Sequence, residues 1–363
     1  MYTPGSRVCE SQRRGWRAGV PPFPVCGPTA AVITDHGGGG RVRERERGPE
    51  KDTGRIRRTP GRVLVAGWFS FLHGEATAGD VGAAEAVGAT LRSAGIRYEV
   101  AWSPVFRPDG LTLDEAEKRD YSDLVFVCGP VGGEQVRDLH RRFPRSRRVA
   151  VGVSVVDRGD PAFLGFHAVL ARDGTCAGPE RDLAQGAPRK GRELPVVGVT
   201  AAPGQPEYGA LSAHDRVHEA LSGWLVAKDC GRLPLDTRLD RTDWRHCAHP
   251  DQFDALVRRT DLVVTTRLHG LVLALRNGVP ALAVDPVVHG AKVAAQGRAW
   301  NWPVLTVEDP VRGPDPASLD RWWEWCLAEG RREAGLRAAD TVSPLGCRLV
   351  EVLRGERAPL NGG

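Results

Sequence analysis

Short apolar runs and stretches of helical spacing alternate along this chain, and the series occurs twice. Val63–Val65 leads into Ala66-Gly67 and reads as a buried strand; Ala83–Leu91 follows at helical spacing and ends at Gly95. Tyr98–Trp102, Asp123–Cys128 and Arg148–Val156 are further strand-like runs, with a helix expected around Glu134–Phe143. A stretch rich in Gly, Pro and charge, Gly174–Glu193, reads as a linker. The alternation then restarts. Strands are expected at Pro195–Thr200, Arg232–Asp236, Leu262–Thr265 and Val279–Val284, and helices at Ala213–Ala227, Asp251–Arg259, Leu268–Arg276 and Ala291–Trp300. Residues 316–337 and 343–354 also carry helical spacing and are expected across the back of the domains. Strands that are apolar throughout, separated by helices, belong to parallel sheets covered on both faces. The expected fold is α/β: two Rossmann-like doubly wound domains, 62–185 and 191–310, facing a cleft, with C-terminal helices over 316–357.

Composition changes this picture mainly at the N-terminus. Residues 1–60 mix Gly, Pro and Arg, with a tetraglycine run from Gly37 to Gly40, and hold 12 Lys and Arg against 6 Asp and Glu. They read as a disordered basic tail, a composition that a misassigned translation start would also produce. The tail thus carries +6 and the remainder −1 of the chain's formal +5, so the folded part has no bias towards nucleic acid. Apolar residues at 41% suffice for two cores. The eight cysteines form no CxxC pair, which points to a reducing, cytoplasmic setting. No apolar run approaches the ~20 residues that span a bilayer, and no secretory leader is legible.

The segment with chemistry runs from Asp261 to Lys292. A buried strand ends at Thr265, Thr266 is placed to cap the next helix, and Arg267 and His269 fall at or inside its first turn. Unpaired amides and the positive helix end gather at this edge of a parallel sheet, where anions bind. Arg267 adds a forked donor for phosphate or carboxylate, and His269 a group able to move a proton. The same residues fit a surface arginine and a capping histidine, so chemistry alone leaves both readings open.

Thr265-Thr266-Arg267-Leu268-His269-Gly270, followed by an apolar helix, Asn277-Gly278-Val279-Pro280 and the downstream Lys292, resembles the signature of polysaccharide pyruvyl transferases. Gly79-Asp80, Gly129 to Gly133 and Ala171-Arg172-Asp173 are further family-like pieces, and the likeness covers roughly residues 62–305. The resemblance implies a GT-B-like fold and transfer of the enolpyruvyl group of phosphoenolpyruvate onto a sugar or glycan of the cell envelope, giving a pyruvate ketal. It implies His269 as general acid, Arg267 and Arg172 as anion ligands and Lys292 as an electrostatic aid. Gly132, Gly133 and Asp80 are candidates for substrate contact. No metal and no cofactor is expected, phosphoenolpyruvate being a donor substrate. The alternatives are a GT-B glycosyltransferase using a nucleotide sugar and a non-catalytic member that binds a sugar phosphate.

Other features invite blander readings. Asp80 fits a helix N-cap. His73 and Glu75 share the loop before it. His214 and His218 have the spacing of a metal pair but lack a third ligand, and His246, Cys247 and His249 lack the second half of a zinc site. Glu207-Tyr208 and Asp236-Thr237-Arg238 read as structural loops, and the tryptophans of Arg321–Trp325 as a packing face. Acceptor selectivity is expected in the loops 70–80 and 200–212.

Overall fold

The computed structural model describes residues 32–33, 61–176, 178–189, 191, 193–202, 204–340, 342 and 344–355. The expected tail, 1–60, lies outside them except for Val32–Ile33. The chain divides between residues 190 and 191 into two compact units.

In the first unit, β1 (Val32–Ile33) lies antiparallel at one edge of a sheet otherwise parallel. That sheet contains β2 (Arg62–Gly67), β3 (Arg97–Val100), β4 (Asp123–Val127), β5 (Arg147–Ser154) and β6 (Ala168–Asp173), in the order β1-β6-β5-β4-β2-β3. Successive residues of β2 serve opposite cores. Val63 and Val65 pack under α1 (Ala78–Ser93), whereas Leu64 and Ala66 join Leu124, Phe126 and Phe166. That second face is covered by α2 (Leu113–Ala116), α3 (Glu134–Arg142) and α4 (Pro161–Leu164). Burial on both faces is why these strands read as continuous apolar runs. The hydrophobic pattern gives no sign of β6, which is short and ends in Arg172-Asp173. The expected linker is also partly structured: a 3-10 turn, Leu183–Gly186, packs on α1.

The second unit repeats the plan. β7 (Val196–Thr200), β8 (Gly231–Pro234), β9 (Leu262–Thr265), β10 (Ala281–Val288) and β11 (Val304–Val307) form an all-parallel sheet, ordered β11-β10-β9-β7-β8. One face packs on α5 (His214–Val226) and α9 (Pro316–Trp325) through Val217, Leu221, Leu319 and Trp323. The other packs on α6 (Pro250–Val257), α7 (Leu268–Arg276), α8 (Lys292–Trp300) and α10 (Arg331–Ala338) through Phe253, Leu271, Leu275, Val293 and Ala334. The tryptophans of α9 do serve packing: Trp323 meets Trp224 edge-on at 5.5 Å and Trp325 meets Trp302 at 5.2 Å. α11 (Pro344–Leu353) follows. No helix among the described residues is long and apolar enough to cross a membrane.

Both units are doubly wound α/β with one topology. In each, the chain reverses its direction of strand addition between the first strand and the third: β2 and β4 in the first unit, β7 and β9 in the second. The crevice beyond the carboxyl ends of two such strands is where this architecture binds ligands.

Candidate active site

At the reversal point of the second unit, β9 is buried along its length and delivers Thr265 to its carboxyl end. The Thr265 hydroxyl accepts from the Arg267 amide at 2.9 Å and donates to the Arg267 carbonyl at 3.2 Å, closing the strand-to-helix turn. Arg267 is the N-cap of α7 in extended backbone, and no side chain caps the helix. Thr266 is therefore not the cap expected from the sequence. Its hydroxyl instead accepts from the Ala202 amide at 2.8 Å and lies 3.1 Å from His218 Nε2, tying the turn to the loop after β7 and to α5. Gly270 follows for a steric reason, since a β-carbon there would lie 2.1 Å from Thr265 Oγ1 and 2.7 Å from Thr200 Cγ2.

Arg267 is half committed. Its Nη1 donates to Asp236 Oδ1 at 2.8 Å and to Thr237 Oγ1 at 2.5 Å. Its Nε and Nη2, the edge that grips a carboxylate or phosphate with two parallel bonds, meet no acceptor among the described residues. Burial pushes the Asp236 carboxyl up, but the Arg238 amide and the charges of Arg267, His246 and Arg238 outweigh it and hold the group below its ordinary range. The aspartate thus stays charged and fixes the guanidinium. His269, two residues on, is exposed and hydrogen-bonded to no described residue.

Lys292 opens α8 and is exposed. The helix start is set by the fully buried Asp285, whose Oδ2 accepts from the Ala291 and Ala294 amides at 2.7 and 2.8 Å. Lys292 lies close enough to His214 for its charge to act on the ring. His214 is 2% exposed. Its Nδ1 sits 2.8 Å from Ser212 Oγ, its Nε2 has no hydrogen-bond partner among the described residues, and its ring meets that of His218 edge-on at 6.3 Å. His218 thus joins His214 to Thr266, the neighbour of Arg267. Of the two histidines read as an incomplete metal pair in the sequence, His218 bonds the turn that carries Arg267 and His214 packs behind it. Sequence reasoning missed that role because its only signal was helical spacing.

The remaining candidates lie in the first unit, where Arg172, Gly133 and Asp80 are engaged internally. All three nitrogens of Arg172 are used: Nε on Asp173 at 2.9 Å, Nη1 on Asp182 at 2.5 Å and Nη2 on Ser154 Oγ at 2.8 Å. Gly133, the N-cap of α3, donates its amide to Asp160 Oδ2 at 3.2 Å, and Gly132 sits against the same carboxylate. Asp80 is the third residue of α1, where its carboxylate accepts from the Thr77 hydroxyl at 2.7 Å; Thr77, not Asp80, is the N-cap. His73 is exposed and lines a cavity of about 540 Å³ with Phe71, Leu72, Leu113, Gln135 and Arg141, while Glu75 is exposed. In the second unit, Asp236 and Thr237, read as structural, are the groups that hold Arg267. His246 lies 3.9 Å from Asp236 Oδ2.

Residues 231–286 match the family model described as polysaccharide pyruvyl transferase. The match runs from the start of β8 to the middle of β10 and contains Asp236, Thr237, Arg267 and His269; Lys292 and every first-unit candidate lie outside it. The family is one of transferases, and the expectation of a transferase is met through this segment. A comparison with curated proteins finds no match. Among solved structures, the spinosyn rhamnosyltransferase SpnG complexed with thymidine diphosphate has a TM-score of 0.28 and 13% identity, over 81% of this chain and 100% of that one. MurG of Acinetobacter baumannii has a TM-score of 0.30 and 11% identity, over 82% and 100%. The calicheamicin glycosyltransferase CalG4 has a TM-score of 0.26 and 14% identity, over 83% and 100%.

Proposed function

We propose that this chain transfers the enolpyruvyl group of phosphoenolpyruvate to a sugar or glycan acceptor, forming a pyruvate ketal and releasing phosphate. The observation that carries the reading is the half-committed Arg267. One edge of its guanidinium is fixed by Asp236 and Thr237 and the other is free, two residues from an unpartnered His269 within the segment matched to pyruvyl transferases. Phosphoenolpyruvate carries a phosphate and a carboxylate, and a pre-oriented fork binds either without first reorganising. Lys292 adds positive charge, and the uncapped first turn of α7 adds amides.

In this reading His269, as imidazolium, gives its proton to the methylene carbon, which becomes a methyl group. The neighbouring carbon becomes oxocarbenium-like and takes a first acceptor hydroxyl, whose proton returns to the imidazole. A second hydroxyl then displaces phosphate from the same carbon and closes the ketal, its proton leaving with the phosphate. Arg267 holds the anionic groups through both steps. Arg172, Gly133 and Asp80 are given no part in donor binding, because each already has a partner inside the first unit, and Gly132 is given none because it adjoins the Asp160 carboxylate.

Release of inorganic phosphate from phosphoenolpyruvate over a panel of pyranosides tests the reading. Turnover that His269→Ala abolishes is expected. Thermal stabilisation by nucleotide sugars with none by phosphoenolpyruvate would replace it with the glycosyltransferase alternative.

A further inference from the structure

The loop between β8 and α6 contains Trp244, which is 92% exposed and packs against no described residue. Leaving a tryptophan in water forgoes the burial that ordinarily makes this side chain useful to a fold. The loop that presents it is nevertheless tightly built. Asp240 donates its amide to the Cys247 carbonyl at 2.9 Å, closing the base. Asp240 Oδ1 accepts from the Thr242 amide at 2.8 Å, the Thr242 hydroxyl at 2.7 Å and the Asp243 amide at 3.2 Å. Asp243 holds Arg245 through Nε at 2.9 Å and Nη2 at 2.7 Å, and its carbonyl accepts from the His246 amide at 3.0 Å. The ring is thus presented by a loop cross-braced through Asp240 and Asp243.

The loop is also joined to the candidate site. Asp236 and Thr237, at its start, hold Arg267, and His246, two residues after Trp244, lies 3.9 Å from Asp236. We infer that Trp244 is a stacking platform for the hexopyranose ring of the acceptor, placed beside the donor end marked by Arg267 and His269. The inference rests on the reading of those two residues as the donor end.

The occupant follows from the surroundings. A pyranose has one face of C–H groups and a rim of hydroxyls. The negative face of an indole attracts polarised C–H groups, and polar neighbours serve the rim. Around Trp244, the guanidinium of Arg241 and the Oδ2 atom of Asp240 make no bond to a described residue. A protein partner would require a wide apolar patch, whereas Arg241, Thr242, Asp243 and Arg245 surround this one ring. A platform already in place loses little entropy when the sugar arrives.

The test uses the full chain without phosphoenolpyruvate. Saturation-transfer NMR is recorded with the methyl β-pyranosides of glucose, mannose and galactose, on wild type, Trp244→Phe and Trp244→Ala. Saturation concentrated on the C–H protons of one sugar face is expected for at least one pyranoside. Its Kd should rise about fivefold to tenfold in Trp244→Ala and less in Trp244→Phe, the size of an aromatic contact. Equal Kd in wild type and Trp244→Ala overturns the inference, as does an absence of saturation with all three sugars. A concentration-dependent dimer that Trp244→Ala makes monomeric also overturns it, assigning the ring to contact between copies. Phosphate release, measured in parallel, keeps the two readings apart. Trp244-dependent sugar binding without phosphoenolpyruvate turnover removes only the donor reading, whereas turnover with an unchanged acceptor KM in Trp244→Ala removes only the platform.

Discussion

The two units share strand order, helix placement and a reversal point, yet they treat that point in opposite ways. In the first unit it is filled from within. Trp68 packs so closely on Gly129 that a β-carbon there would lie 2.2 Å from the ring, and its Nε1 donates to the Pro130 carbonyl. Asp160 accepts from the Gly133 amide, and every nitrogen of Arg172 already has an acceptor among two carboxylates and a hydroxyl. In the second unit, among the described residues, no side chain caps α7, half of Arg267 is unpaired and His269 has no partner. A fold with two equivalent sites has kept donors open in one of them. The feature that separates the units is therefore not the presence of an arginine near a strand end, since Arg172 and Arg267 both lie there. It is whether each donor already has an acceptor.

The largest expected effect falls on His269. A positioned general acid contributes roughly 10²–10⁴-fold, so His269→Ala should reduce kcat for phosphate release by about that factor. The side chain is exposed and unbonded, so the melting temperature should hardly move. Turnover that survives the change would remove His269 from the chemistry. Next comes Arg267→Lys. An ammonium cannot keep Asp236 and Thr237 while presenting a two-pronged edge, and charged hydrogen bonds are worth about 1.5–3 kcal/mol each. The KM for phosphoenolpyruvate should rise roughly 10- to 100-fold. A KM within twofold of wild type would show that the free edge of Arg267 is not where the donor binds.

Much of the second unit was legible from hydrophobic pattern alone. Leu262–Thr265 and Leu268–Arg276 were bounded as they occur, because a fully buried strand and an apolar helix closed by Asn277-Gly278 leave little choice. β6 and β11 were not recognised. Ala168–Asp173 turns polar before it ends, and β11 is a partly exposed edge strand of four residues, so neither supplies a sustained apolar run. The site was legible as residue types but not as partnerships. Nothing in the order of residues reveals that Arg172 faces Asp182 or that Asp160 returns to Gly133, since such pairs form only when the sheet brings separate loops together. Thr266 illustrates the same limit: helix-start chemistry made it a cap, while the loop after β7 claimed its hydroxyl.

Arg172→Ala tests the first unit's side of the comparison. The guanidinium bridges β5, β6 and the segment before the 3-10 turn, and its removal leaves Asp173 and Asp182 without their shared cation. A loss of about 2 kcal/mol in unfolding free energy is expected, scaled down from three charged hydrogen bonds because the group is partly exposed. The KM for phosphoenolpyruvate should stay within about twofold, the limit of a group that makes no donor contact. A large rise in KM at unchanged stability would mean that Arg172 leaves its carboxylates for the substrate, and the contrast between the units would fail.

The smallest effect concerns the histidine pair of the second unit, His214 and His218. Burial lowers the pKa of His214, with Asp285, Asp215 and Glu207 acting upward and Lys292 downward; burial, then the charge of His214, lowers that of His218. A histidine with a folded pKa below its unfolded value of about 6.5 binds fewer protons when folded, so stability rises with pH across the interval between the two. The contribution is complete above the unfolded value and is lost as pH falls through that window. The melting temperature of the wild type should therefore drop between about pH 7 and about pH 5. His214→Asn with His218→Gln keeps a polar atom near Ser212 and Thr266 and removes both titrating groups, so the drop should become shallower. It should not vanish, because burial also lowers the pKa of His140 in the first unit, where Nε2 lies 2.8 Å from the Ala162 carbonyl. An unchanged slope in the double variant would place the acid sensitivity outside the second unit's site, and His140→Gln would then be the variant expected to flatten it.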